Sequence, residues 1–185
     1  MNLGGIFDRT IKSYIPILSL IFVAAFLAGI RAPSSTRQQM SEAFQVVVDN
    51  YRALDGGMLF FTILLHNVAA TIFLLVSGVI VGIIPTIAIG ANGFVLGVVY
   101  RQTAEGMGYS KAALKVLPHG VFELPALLIA ASYGLWIGVM LVRRIRGKES
   151  TLFRSNIAHA FRQYLAVVFP LLIVAAAIEA ALIIF

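Results

Sequence analysis

Residues 58–100 read MLFFTILLHNVAATIFLLVSGVIVGIIPTIAIGANGFVLGVVY and contain no Asp, Glu, Lys or Arg. A membrane span needs roughly 20 apolar residues to cross a hydrocarbon core about 30 Å thick, so this run holds two spans joined by a tight reversal. Pro85 is the natural break, because it removes a backbone donor and restricts the residue before it. The second span is therefore placed at Leu59–Gly82 and the third at Thr86–Tyr100. The third is short, which leaves a partly re-entrant segment over Pro85–Gly93 open as an alternative.

Working outward, Ser13–Ile30 is a first span, Pro118–Val142 a fourth and Tyr164–Phe185 a fifth. A cleavable signal peptide is the rival reading of the first, with Arg9 and Lys12 as its basic flank, but Arg31-Ala32-Pro33 offers no small-x-small cleavage site. In Arg31–Gly57 the residues Ala43, Phe44, Val47, Val48, Tyr51 and Leu54 recur at helical spacing, the pattern of an amphipathic helix along the interface or on the bundle. Ser110 is placed to cap a short helix Lys111–Leu117 that leads into Pro118, itself read as the first residue of the fourth span. The expected fold is all-α, a polytopic membrane helix bundle of about five transmembrane helices plus short amphipathic interfacial helices. Residues 1–185 are expected to form a single integral membrane domain.

Composition says the same. Of the 185 residues 60% are hydrophobic and 12% charged, with a mean hydropathy of +0.95, well above the roughly 45–50% apolar content of soluble domains. There is no cysteine, which removes disulfides, thiolate metal sites and thiol nucleophiles. The net charge of +6 suits anionic lipid headgroups rather than nucleic acid, since no nucleic-acid motif accompanies it. Basic residues also suggest an orientation in the cell membrane. An N-terminus in the cytoplasm gathers Arg9, Lys12 and the dense Arg143–Lys148 cluster inside, and places the Ser110–Glu123 region outside.

Ionisable and amide groups inside such a chain are costly, so they are the candidate site. Pro118-His119-Gly120-Val121-Phe122-Glu123-Leu124-Pro125 sets His119 and Glu123 one helical turn apart on one face. Pro125 frees the carbonyl of Val121 beside them. With His66, Asn67 and Asn92 they are the polar-pocket candidates, and Asn67, Asn92 and the His119–Glu123 face are expected to meet in the outer half of the bundle. For each Asn the structural alternative is a simple interhelical hydrogen bond. His119 and Glu123 are weak metal-ligand candidates, since a lone His-Glu turn supplies too few ligands. Glu179 stands alone in the fifth span and can snorkel outward. The glycine pairs Gly78 and Gly82, Gly93 and Gly97, and Gly134 and Gly138 have the four-residue spacing that lets helix backbones approach.

The ordered series His66-Asn67, Gly78, Gly82-Ile83, Asn92-Gly93 with Gly97, and Pro118-His119-Gly120-Val121-Phe122-Glu123-Leu124-Pro125 resembles the stage II sporulation protein M family over about Leu59–Gly138. The resemblance implies a multi-pass membrane protein. In endospore formers the family acts with peptidoglycan-remodelling partners during engulfment, and many relatives occur in bacteria and archaea that never sporulate.

Three function classes follow. The first is a non-enzymatic membrane component that organises other membrane proteins or assembles as a homo-oligomer, a dimer being favoured, with the lipid bilayer as its constant partner and no cofactor. The second is a carrier or channel whose path would be lined by Asn67, Asn92, His119 and Glu123. The third is a metal-dependent intramembrane hydrolase using His119 and Glu123, joined by His66 if the second and fourth spans touch, for which no His-Glu-x-x-His motif is present.

Overall fold

The computed structural model describes residues 10–148 and 152–184; the side chains of 41, 44, 48, 52, 115–119 and 184 lie outside that description. Arg9, weighed above for topology, and Phe185, the expected end of the last span, are also outside the described residues. What is described is 88% helical with no strand. The helices are α1 Tyr14–Ile30, α2 Ser34–Arg52, α3 Gly56–Ser77, α4 Ile83–Met107, α5 Tyr109–Ile145, α6 Phe153–Gln163 and α7 Phe169–Ile184, with a π-helical turn Tyr164–Val168 joining the last two. Four are long and apolar enough to cross a membrane, α6 and α7 counting as one, and five if the bent pair α1–α2 counts as another.

The breaks follow local chemistry. Pro33 is the N-cap of α2, and α2 turns away from α1 by 107°. The Asp55 carboxylate caps α3 by accepting from Gly57 N–H at 3.0 Å and Met58 N–H at 2.9 Å, which satisfies donors a helix start leaves open. The reversal in the uncharged run falls at Gly78–Gly82 rather than at Pro85. Gly82 has φ 69° and Val81 has φ 54°, a left-handed conformation that is strained for a β-branched side chain. Pro85 instead occupies the first turn of α4, where no intrahelical donor is needed. Consequently α4 is continuous across 85–93, and the segment is not re-entrant.

Two further boundaries differ from the sequence reading. Gly108, at φ 87°, is the only residue between α4 and α5. Ser110 therefore lies inside α5 instead of capping a helix, and 111–117 with the fourth span forms one helix of 37 residues. Pro118 sits in the body of α5, so the carbonyl of Leu114 has no N–H from it, just as Val121 has none from Pro125. The last span begins earlier than expected, at Phe153, because the π-helical turn carries the chain from amphipathic α6 into α7 without a stop.

Helix α5 is the hub. In its apolar stretch 61% of the residues are buried, against 28–33% in the other three spans, and it touches α1, α3, α4 and α7. The pairing directions come from the close contacts. Gly93 lies against Phe22 and Gly97 against Phe26, so α1 and α4 run parallel. Gly134 lies against Leu74 and Gly138 against Gly78, so α3 and α5 also run parallel. Leu59 and Ile63 cluster with Ala176 and Ala180, and α7 runs against α3. Two rims result: α2, the start of α5 and the end of α7 share one, while the Gly78–Gly82 turn, the end of α5 and α6 share the other.

Glycine decides how near these helices come. A Cβ on Gly78 would sit 2.6 Å from Gly134 Cα, and one on Gly138 2.6 Å from Gly78 O, so these backbones touch with nothing between them. Around this seam lies the largest core, with Leu75, Ile129, Tyr133, Trp136, Ile137, Tyr164 and Leu172. Trp136, 9% exposed, belongs to that core.

Candidate functional site

The polar candidates do not converge as a group. Asn67 is 7% exposed on the face of α3 turned into the bundle, whereas its neighbour His66 is exposed. Asn92 is also exposed, and its side-chain Nδ2 donates to Ala88 O of its own helix at 2.9 Å. The reason is register. Gly93 and Gly97 turn the buried face of α4 onto α1, and a neighbour one residue away is rotated by about 100° around the helix. The expectation that Asn92 meets Asn67 therefore fails. His119 lies on α5, but its side chain is outside the described residues.

Glu123 is half-buried on α5, and Glu179, half-buried on α7, is not the isolated residue it was in the sequence. Both act on one group. Burial pushes the Tyr51 phenol above its ordinary value of 10.0, and the Glu179 and then the Glu123 carboxylate push it further. Tyr51 is held there because it packs, with Leu54, onto the cluster of Leu59, Ile63, Ala176 and Ala180. Three elements thus place Tyr51 within the electrostatic field of two carboxyl groups at the α2 rim. Among the described residues no three His, Asp or Glu side chains come together as metal ligands.

A second polar centre lies deeper. Tyr164, 2% exposed, opens the π-helical turn, and its hydroxyl donates to Thr71 Oγ1 at 3.0 Å, with Val68 O at 3.4 Å the more distant alternative acceptor. Thr71 also donates to Asn67 O at 2.7 Å. Beside it, the His159 ring of α6 stands edge-on to Tyr133 and Trp136, with centroids 6.1 and 6.0 Å away. Thr71 was legible in the sequence, four residues after Asn67 and so on the same face; His159 and Tyr164 were not, because their partners are remote in the chain.

On the α2 rim, Arg37 joins two helices. It donates to Ala32 O at 2.6 Å and pairs with Glu105 at 3.1 Å, while Arg101 holds the same carboxylate at 2.9 Å and reaches the Tyr109 hydroxyl. An open hollow of about 420 Å³ lies over this network, lined by Arg37, Gln38, Glu42 and Gln45 of α2 and Gln102 and Glu105 of α4.

This fold defines a polytopic α-helical membrane protein with basic clusters at the α6 rim and its carboxyl-bearing groups toward the α2 rim. The family model of stage II sporulation protein M matches residues 17–182, and the chain belongs to that family. The chain is also similar to an uncharacterized protein, MJ0706, of Methanocaldococcus jannaschii, with 30% identity over 132 residues. That match covers 70% of this chain and 58% of the relative, so the chain spans little more than half the relative's length. No solved structure matches it.

Proposed function

We propose that the protein is a non-enzymatic member of the stage II sporulation protein M family that organises other membrane proteins, or copies of itself, in the cell membrane. The observation that carries this is the outward placement of His66 and Asn92 near the middle of α3 and α4. Polar groups at that depth have lipid or another helix for a neighbour, and interhelical hydrogen bonds in membranes contribute about 0.6–2 kcal/mol. Meanwhile the α3–α5 seam is closed by backbone contact, which leaves no room there for a solute path. An engulfment role applies only in a spore former.

The orientation belongs to the same reading, with the N-terminus and the α6 rim in the cytoplasm. Arg143, Arg144, Arg146, Lys148, Arg154 and Arg162 are all exposed on that rim. With no native thiol to interfere, single cysteines test it: position 148 should label only from the cytoplasm and position 111 only from outside. For the organising role, a photo-crosslinking residue at position 66 or 92 in native membranes should yield protein adducts. Lipid adducts alone would remove the reading.

One observation favours a second reading, proton or cation carriage. The Tyr51 phenol lies in the field of both the Glu179 and the Glu123 carboxyl, and ionisable groups within a membrane protein commonly mark proton or cation paths. Flux in proteoliposomes that disappears on changing Glu123→Gln and Glu179→Gln together would establish it over the organising role.

A further inference from the structure

We propose that the partner of the exposed α4 face is a second copy of this chain, related by a twofold axis that passes beside Asn92. This rests on the organising reading and names the partner. Asn92 lies on the exposed side of α4, with Ala91 and Val95 exposed beside it, Ala88 half-buried and Ile87 65% exposed. The face carries no charge, since no Asp, Glu, Lys or Arg occurs between Ile83 and Tyr100. It therefore calls for no charged mate and does not repel its own copy.

The chemistry of the amide selects the occupant. One N–H of Asn92 is used by Ala88 O within the helix, which leaves a second N–H and the side-chain carbonyl oxygen. A donor and an acceptor on one group are self-complementary. Across a twofold axis each amide gives one N–H to the other's oxygen, and in a closed twofold interface a residue on the axis meets its own counterpart. Lipid tails offer neither donor nor acceptor, so an unmatched amide there loses hydrogen bonds it would keep in water. Ala88 and Ala91 are small enough to let two helices approach to the distance an Asn–Asn pair requires.

The test uses the full-length protein in membranes. Single cysteines at positions 88, 91 and 95, each with Asn92 kept, and with Leu20 on α1 and Phe73 on α3 as exposed controls, are oxidised with a membrane-permeant catalyst. Crosslinked dimer is expected at the α4 positions and not at the controls. In nanodiscs, Asn92→Leu is expected to weaken dimerisation by about 3- to 30-fold, with Asn92→Gln restoring most of it. Fluorescence of the buried Trp136 reports that each variant is folded. Dimers that crosslink elsewhere, or that ignore Asn92→Leu, overturn the proposal. A photo-crosslinker at position 92 separates the two readings: capture of a different protein alone removes the second copy but leaves the organising role, and lipid adducts alone remove both.

Discussion

Changing Gly78→Ala adds one methyl group at the contact between α3 and α5, and the cost can be worked from the structure. Gly78 has φ −54° and ψ −26°, a conformation open to any residue, so no backbone penalty enters. The added Cβ would sit 2.6 Å from Gly134 Cα, where ordinary contact begins at 3.4 Å, and nearer still to the Gly134 carbonyl; the overlap is therefore at least 3.4 − 2.6, or 0.8 Å. Both atoms belong to backbone, so no rotamer change relieves the clash and the helices must part. A gap of 0.5–1 Å forfeits about a quarter to a half of each van der Waals contact it opens. Leu74 and Leu75, each 2% exposed, flank the seam. If half of the ~50 contacts of each face α5 at ~0.15 kcal/mol, the loss is about 1–2 kcal/mol per leucine and about 2–4 kcal/mol in all. Gly120→Ala is the control: its Cβ meets nothing within 4 Å, and a helical Gly→Ala change there should stabilise by about 0.5–1 kcal/mol. Unfolding by SDS in mixed micelles, followed by the single tryptophan, Trp136, measures both. Equal stability of the two variants within about 0.5 kcal/mol would refute the claim that glycine contact sets the α3–α5 distance.

Other outcomes follow from the same geometry. Tyr164→Phe removes the bond to Thr71, and since Thr71 keeps Asn67 O as acceptor, the same titration should show a loss of only about 0.5–1.5 kcal/mol. Arg37 and Glu105 are partly exposed, so a double-mutant cycle of Arg37→Ala with Glu105→Ala should give a coupling of about 0.2–1 kcal/mol that shrinks with salt. Tyr51 holds its proton more tightly in the folded protein than at the ordinary value of 10.0; the stabilisation is full below pH 10.0 and is lost as pH rises from there through the raised value. Phenolate absorbance, with Tyr51→Phe subtracted, should show Glu179→Gln lowering that titration more than Glu123→Gln does. Neither variant should bring it back to 10.0, because burial is the larger cause.

Composition and local pattern determined the class of this protein. An uncharged run too long for one span, glycines four residues apart and punctuation by Pro and Gly are properties of the chain that hold in any fold, and they suffice for an all-α membrane bundle. The same local rules misplaced particular boundaries. Pro85 marks a helix start as readily as a break, and Pro118 was compatible with a first turn until Gly108 took that place. The grouping of polar residues was a tertiary decision. Asn67 and Asn92 look alike in sequence, each an amide in an apolar run, yet the glycine contacts that dock α4 on α1 turn Asn92 outward, while the face of α3 that meets α5 and α7 carries Asn67 in. Glu179 and Tyr51 lie far apart along the chain, and only the antiparallel packing of α7 on α3, with the end of α2 laid across them, brings phenol and carboxylate together. Helical periodicity assigns a residue to a face; which face meets which neighbour is set by the close approach of backbones, and that is encoded in pairs of residues remote in sequence.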